Sequence, residues 1–147
     1  MAPKPGQISL TNFVRKITPL VTQDKGLLGS YTEREQRAVI GNYYEALRQV
    51  FPKEFDSKQS MFFKTIGFGA LWNVFPSFFS LSLNLHKGFQ VKDVVQIFKK
   101  ISGSVDFSSW KQYGTGNQAE TLAGEDLRTT LLLAFSKDGK SKGTLRV

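Results

Sequence analysis

The sequence predicts an all-α fold: one domain of about five to seven helices over residues 1–136, followed by a basic, flexible tail at 137–147. Three observations lead there. Apolar side chains recur at helical spacing in several segments, each with a recognisable start. No segment alternates apolar and polar residues as a half-buried strand does. The stretch from Gln59 to Leu81, QSMFFKTIGFGALWNVFPSFFSL, is the most apolar and aromatic of the chain and carries Lys64 as its one charge. That is the pattern of a helix buried on nearly all sides. A chain of 147 residues that is 40% hydrophobic, with 13 Phe, can bury a core of its own.

The elements follow in order. Residues 1–8 form an irregular lead-in with Pro3 and Pro5. Ser9 is placed to cap a first helix through its hydroxyl. Leu10, Phe13, Val14 and Ile17 make that helix's apolar stripe, Arg15 and Lys16 are expected to face away, and Pro19 is expected to end it. In the connector, Lys25 to Ser30 reads KGLLGS; it lacks the length and the Gly-Lys-Ser/Thr ending of a phosphate-binding loop. Thr32 opens the clearest helix. Its TERE run is a capping box in which Thr32 and Glu35 bond each other's backbone amides. Val39, Ile40, Tyr43, Leu47 and Val50 give the stripe, and the helix stops before Pro52. At this spacing Tyr43 and Tyr44 read as core residues with hydroxyls at the rim, in preference to a stacking platform for bases.

Phe51 to Ser57 is expected to be a turn with aromatic anchors, with Ser57 or Ser60 capping the central helix. There, Met61, Phe62, Thr65, Ile66, Phe68, Leu71, Trp72 and Phe75 cover most of the circumference. Gly67 and Gly69 each cost about 1 kcal/mol against alanine in a helix. Their presence implies close approach of another backbone or, as a sharper reading, a small-molecule pocket at Gly67, Gly69 and Trp72. Pro76 is expected to kink the helix or begin a second one. Ser60, Lys64, Asn73, Ser77 and Ser80 interrupt the run, so a core helix is expected rather than a membrane span.

Residues 82–90 read as a polar turn. Val91, Val94, Val95, Phe98 and Ile101 form a further amphipathic helix with Lys92, Lys99 and Lys100 outside. Asp106 is placed to cap a short turn through Trp110. In WKQYGTGN the glycines expose amides, Lys111 adds charge, and Trp110 and Tyr113 offer rings. That run can contact phosphates or bases, or else be an ordered loop anchored in the core by Trp110. Gly124-Glu125-Asp126 is expected to begin the last helix, with Leu127, Leu131, Leu132 and Phe135 as its buried face.

The chemistry is bounded mainly by what is missing. There is no Cys, which excludes disulfides and thiolate metal sites. His86 is the single histidine, so neither a Ser/His/Asp set nor a histidine metal cluster can be assembled. No reaction, metal or cofactor is read from the chain. The N-terminal run MAPKPGQISL lacks a secretory apolar segment, and a cytoplasmic location is expected. The net charge of +8 points to polyanionic partners. The nucleic-acid-binding candidates are Lys99, Lys100, Trp110, Lys111 and Tyr113, with Lys137, Lys140 and Lys142 in the tail.

The order of features resembles the C-terminal part of DGQHR-domain proteins, a family that includes the regulator associated with DNA phosphorothioation systems. ISLTNFVRKITPL, then NYYEALRQVFPKEF, then FFKTIGFGALWNVF, then WKQYGTGN before a final helix carry the likeness, from about Ile8 to Phe135. FFKTIGFGALWNVF looks most like the family's K-T-x-G-x-x-A-L stretch, through Lys64, Thr65, Gly67 and Leu71. The name-giving D-G-Q-H-R motif is absent, and His86 sits in L-H-K-G. Chemistry tied to that motif therefore does not carry over. The resemblance implies a setting in bacterial or phage DNA modification, defence or its regulation. The resulting expectation is a non-catalytic helical module associated with DNA. The alternative is an interaction module that docks onto a ParB-like or DGQHR-bearing protein without touching nucleic acid.

Overall fold

Ser9 opens α1 (Leu10–Val21) as expected, its Oγ accepting from the Asn12 amide at 3.2 Å. Thr32 and Glu35 close the capping box of α2 (Glu33–Val50): the Glu35 amide donates to Thr32 Oγ1 at 3.1 Å and the Thr32 amide to Glu35 Oε1 at 2.9 Å. The computed structural model describes residues 8–57 and 60–142, with side chains through Ser136. Within that range the remaining helices are α3 (Pro52–Asp56), α4 (Thr65–His86), α5 (Val91–Ile101) and α6 (Asn117–Lys142). Short 3₁₀ turns lie at Met61–Phe63, Ser102–Ser104 and Phe107–Tyr113, and no strand occurs among the described residues. The fold is all-α.

α4 is the axis. Eleven of its residues are buried, from Gly67 to Ser82. It is long and apolar enough to cross a membrane, yet 61% of its apolar window is buried inside the fold. α6 forms the largest interface with it, and α2 and α5 pack together beside it. The hub is Tyr43 on α2, whose ring lies within 6.2 Å, centroid to centroid, of Tyr44, Trp72, Phe75, Phe78, Phe89 and Phe98. Its hydroxyl does not reach the rim. It donates to the Leu71 carbonyl at 2.6 Å inside the core, and burial pushes its ionisation well above the ordinary phenol range. Tyr44 is placed differently: its hydroxyl accepts from Trp72 Nε1 at 2.9 Å.

Both prolines expected to break helices lie inside them. α1 continues through Pro19 to Val21, where the backbone and hydroxyl of Thr22 both donate to the Thr18 carbonyl. α4 runs unbroken through Pro76 to His86, so residues 82–86 are helix rather than turn. An interior proline costs about 3 kcal/mol. Beyond it, Phe78 and Phe79 are 0% and 4% exposed, and each buried Phe returns about 1.5–3 kcal/mol. The outcome favours the helix. Pro76 faces solvent, and the Asn73 carbonyl one turn earlier accepts from Arg128 Nη2 at 3.3 Å. α4 ends at Lys87, which takes the left-handed conformation at φ 61°.

Other expectations shift by a turn or more. Phe51 to Ser57 contains the short helix α3, with Phe51 buried. Neither serine caps α4: its N-cap is Lys64, and Ser60 Oγ is buried without a hydrogen-bond partner among the described residues. Gln59 lies outside those residues. α6 begins at Asn117, well before Gly124, and its backbone reaches Lys142, into the segment expected to be a tail. Leu127 and Leu131 are buried as expected, but Leu132 is exposed and Phe135 is half-buried beneath the Lys100 ammonium.

The glycines of α4 report what presses against them. A Cβ on Gly67 would sit 1.8 Å from the Met61 carbonyl oxygen, so this glycine admits a backbone as expected. A Cβ on Gly69 would sit 1.8 Å from Glu120 Oε1, so this one admits a carboxylate. Gly41 on α2 has nothing within 4 Å. Gly41→Ala should therefore raise stability by about 0.5–1 kcal/mol, whereas Gly69→Ala should lower it by about 2 kcal/mol or more as the side chain opposite is displaced. Urea denaturation of the two variants checks the contrast in sign.

Candidate functional site

Two polar arrangements survive once the core is accounted for. The first is a buried ion cluster where α1 crosses α4 and α6. Glu120, in the first turns of α6, is 1% exposed. Arg15 Nη2 donates to both its carboxylate oxygens at 2.9 and 3.1 Å, and Lys16 Nζ lies 3.5 Å from Oε1. Lys16 also donates to Asn73 Oδ1 at 2.9 Å, and Arg15 Nη1 to Asn117 Oδ1 at 3.1 Å. Lys16 thus faces inward, and Arg15 reaches over Glu120 with its side chain 37% exposed, contrary to the expectation that both face away. The stripe they displace lies outside: Leu10 is 77% exposed and Val14 48%. Phe13 leans on Phe68, and of the four stripe residues Ile17 is the buried one. The reason is desolvation. A buried carboxylate without partners costs several kcal/mol, more than α1 forfeits by leaving Leu10 and Val14 in water.

A last helix begun at Gly124 hides the role of Glu120. Extended back to Asn117, the helix puts Glu120, Gly124, Leu127 and Leu131 on one stripe, and an acid in a buried stripe is a signal.

The second arrangement is a cavity. Gly114 and Gly116 both have positive φ, 79° and 89°, and turn the chain from the 3₁₀ turn Phe107–Tyr113 into α6. Their loop faces the start of α4 across a cavity of about 400 Å³. Its lining is Met61, Lys64, Thr65 and Ile66 on one side and Trp110, Lys111, Gly114, Thr115 and Gly116 on the other. Two lysines face it and no carboxylate does. Thr65 Oγ1 accepts from Asn12 Nδ2 at 3.1 Å, which leaves its hydroxyl proton free to point elsewhere. No side chain caps the N-terminus of α4, so its positive end is uncompensated there.

Two other concavities differ in character. One of about 590 Å³, beside Pro52 and Phe107, has Glu54 and Asp106 in its wall. The hydroxyl and amide of Ser108 hold the Asp106 carboxyl below its usual range, and Lys53 lies in the same wall, so that both signs of charge line it. The other, about 550 Å³ between α4 and α6, is lined by Leu81, Leu131, Leu132 and Phe135 among small polar residues.

The expected site residues separate accordingly. Trp110 is 0% exposed, with Phe107 against its ring at 5.0 Å and its Nε1 donating to Asp126 Oδ2 at 3.1 Å. It is a core anchor and offers no face to a base, and Tyr113 is half-buried. Lys111 is exposed at the cavity. Lys99 and Lys100 are exposed on α5, with Lys100 Nζ 4.9 Å from the Phe135 ring centroid. Lys137, Lys140 and Lys142 fall on the α6 backbone, their side chains outside the described residues. The small-molecule pocket at Gly67, Gly69 and Trp72 is filled. Met61 and Glu120 occupy the glycine faces, and Trp72 is 3% exposed among Tyr43, Tyr44, Phe68 and Phe75. His86 Nδ1 lies 3.9 Å from Asp93 Oδ1, a carboxylate whose other oxygen accepts from the Gln90 amide at the start of α5. No group of three metal-ligating side chains occurs among the described residues.

No family model, curated protein or solved structure matches the chain.

Glu120→Ala should cost about 2–3 kcal/mol in urea unfolding, at the low end for breaking a buried pair because Arg15 keeps contact with water. Arg15→Ala should cost less, about 1 kcal/mol, since Lys16 remains beside the carboxylate. A neutral Glu120→Ala would show that the cluster does not hold α1 in place.

Proposed function

We propose that this chain is a non-catalytic helical module that associates with DNA through phosphate contacts. The observation that carries the reading is the cavity between α4 and the glycine loop, whose lining holds Lys64 and Lys111 and no acid. Backbone phosphates supply most of the affinity in sequence-independent binding, and two lysines in the lining of one cavity suit such a group. The net charge of +8 and the exposed Lys92, Lys99 and Lys100 on α5 add long-range attraction of the same sign. The burial of Trp110 argues for phosphate rather than base contact. Lys64 and Thr65 of the cavity also stand in the K-T-x-G run that resembles DGQHR-domain proteins, whose setting is DNA modification.

On this reading, the duplex affinity of the full chain falls linearly with salt on logarithmic axes. Lys64→Gln and Lys111→Gln should each weaken binding to all sequences alike and reduce the slope by about 0.9 for each phosphate left without its cation. Fluorescence anisotropy across a salt series measures both. Absence of binding at about 50 mM salt, or binding indifferent to salt, is the outcome that refutes the proposal.

A second reading, docking onto a protein such as a ParB-like chain, is favoured by the outward stripe of α1 at Leu10, Phe13 and Val14. Replacing Leu10 and Val14 by serine should change stability by no more than about 0.5 kcal/mol. The same variant should abolish co-purification with that partner. Undiminished co-purification would exclude this face.

A further inference from the structure

We infer that α5 lies in the major groove of duplex DNA, with Gln96 against the base edges between Lys92 and Lys99. The inference rests on the DNA-associating reading and adds a contact that distinguishes sequences, made by residues other than those of the cavity.

The helix has two faces of opposite character. Val94, Ile97, Phe98 and Ile101 are buried where α5 packs against α2, and the Phe98 ring stacks on Tyr43 at 5.8 Å. Lys92, Gln96 and Lys99 recur at i, i+4 and i+7, all exposed, on the opposite side. Lys100 stands beside that stripe and leans over Phe135 of α6.

Charge selects the occupant. From Lys87 to Ile101 the chain carries four lysines and one acid. The acid is Asp93, which is buried, with Oδ2 accepting from the Gln90 amide at 2.9 Å and Oδ1 3.9 Å from His86 Nδ1. The outward stripe is therefore cationic and free of carboxylates, the complement of a phosphate-lined groove.

Dimensions and chemistry agree. At 11 residues, α5 is about 16 Å long, and the major groove, about 12 Å wide, admits an α-helix. Lys92 and Lys99 stand about 10 Å apart along the axis, the height of about three base pairs. Gln96 falls between them. A glutamine amide matches the N6 and N7 edge of adenine, and lysine the O6 and N7 edge of guanine.

The turn before α5 is held rigidly. Residues 87–90 join α4 to α5. Ser82 Oγ donates to the Gly88 carbonyl at 2.5 Å and Asn42 Nδ2 to the Phe89 carbonyl at 3.0 Å. The buried Phe89 ring lies 5.6 Å from Phe75 and 5.5 Å from Phe79. A short glycine-bearing turn of this length joins the helices of helix-turn-helix units, whose second helix is the one laid in the groove.

The test selects bound duplexes from a random-sequence library with the full chain at about 150 mM salt. The recovered duplexes should share a core of about three base pairs that includes adenine. Replacing the core adenines by 7-deazaadenine removes N7 from the major groove and leaves every phosphate in place. Affinity should then fall about tenfold, the lower part of what one bidentate base contact supplies. Gln96→Ala should keep the urea midpoint, since Gln96 is exposed, and lose the selected core. Duplex RNA of the same sequence, with a deep and narrow major groove that side chains cannot read, should bind more weakly than the DNA. Recovery of no common core, or equal affinity for the deaza duplex or the RNA, would overturn the inference and leave DNA association standing. Binding to no duplex at all would overturn the association as well.

Discussion

The Tyr43 hydroxyl donates to the Leu71 carbonyl from the middle of the aromatic core, and the arrangement of α2, α4 and α5 depends on that contact. A phenol this deeply buried must find an acceptor, because an unpaired buried hydroxyl costs about 1–3 kcal/mol. The Leu71 carbonyl supplies it and fixes the height of α2 along α4. Phe75, Phe78, Phe89 and Phe98 then pack around the ring at centroid distances from 5.2 to 6.2 Å. With α4 held this way, its first turn and its crossing with α6 fall where the polar chemistry collects.

Glu120 imposes the second constraint. Gly69 leaves room for its carboxylate, and Gly124 brings α6 close enough that an added Cβ would meet Asn73 Cβ at 3.0 Å. A carboxylate so enclosed needs cations, and α1 provides them by turning Lys16 inward and laying Arg15 across it. Apolar residues standing singly on a surface are ordinary, while an unpaired buried charge is not. The orientation of α1 follows from that inequality. The same cluster ties α1 to Asn117, the residue after the glycine loop.

The functional reading follows from where charge is left without compensation. Arg37, Arg48 and Arg128 pair with Glu33, Glu45 and Glu125 along their own helices. Lys64 and Lys111 line a cavity with no acid. Surface ion pairs of the first kind contribute little and mark solvated helix faces. Cations of the second kind face a concave site, and that geometry favours an anionic partner.

Local signals in the sequence were enough for the all-α class, for both ends of α2, for the Ser9 cap and for the Asp106 turn, because capping and helical periodicity act within a few residues. The lack of thiols and of a second histidine removed whole classes of chemistry in the same way. Whether Pro19 and Pro76 break their helices, which edge of α1 turns inward, and whether Trp110 meets solvent were decided by partners distant in the chain. Burial of Phe78 and Phe79 outweighs a proline, Glu120 outweighs an apolar stripe, and Phe107 with Asp126 claims the indole. Lys111 was legible as a charged residue in a glycine-bearing loop. That it shares a cavity with Lys64 was not, because only packing of α6 against α4 brings the two segments together. The sequence by itself determined the helices and the charges they carry. The tertiary structure decided which faces are buried, since desolvation is settled by whatever lies opposite.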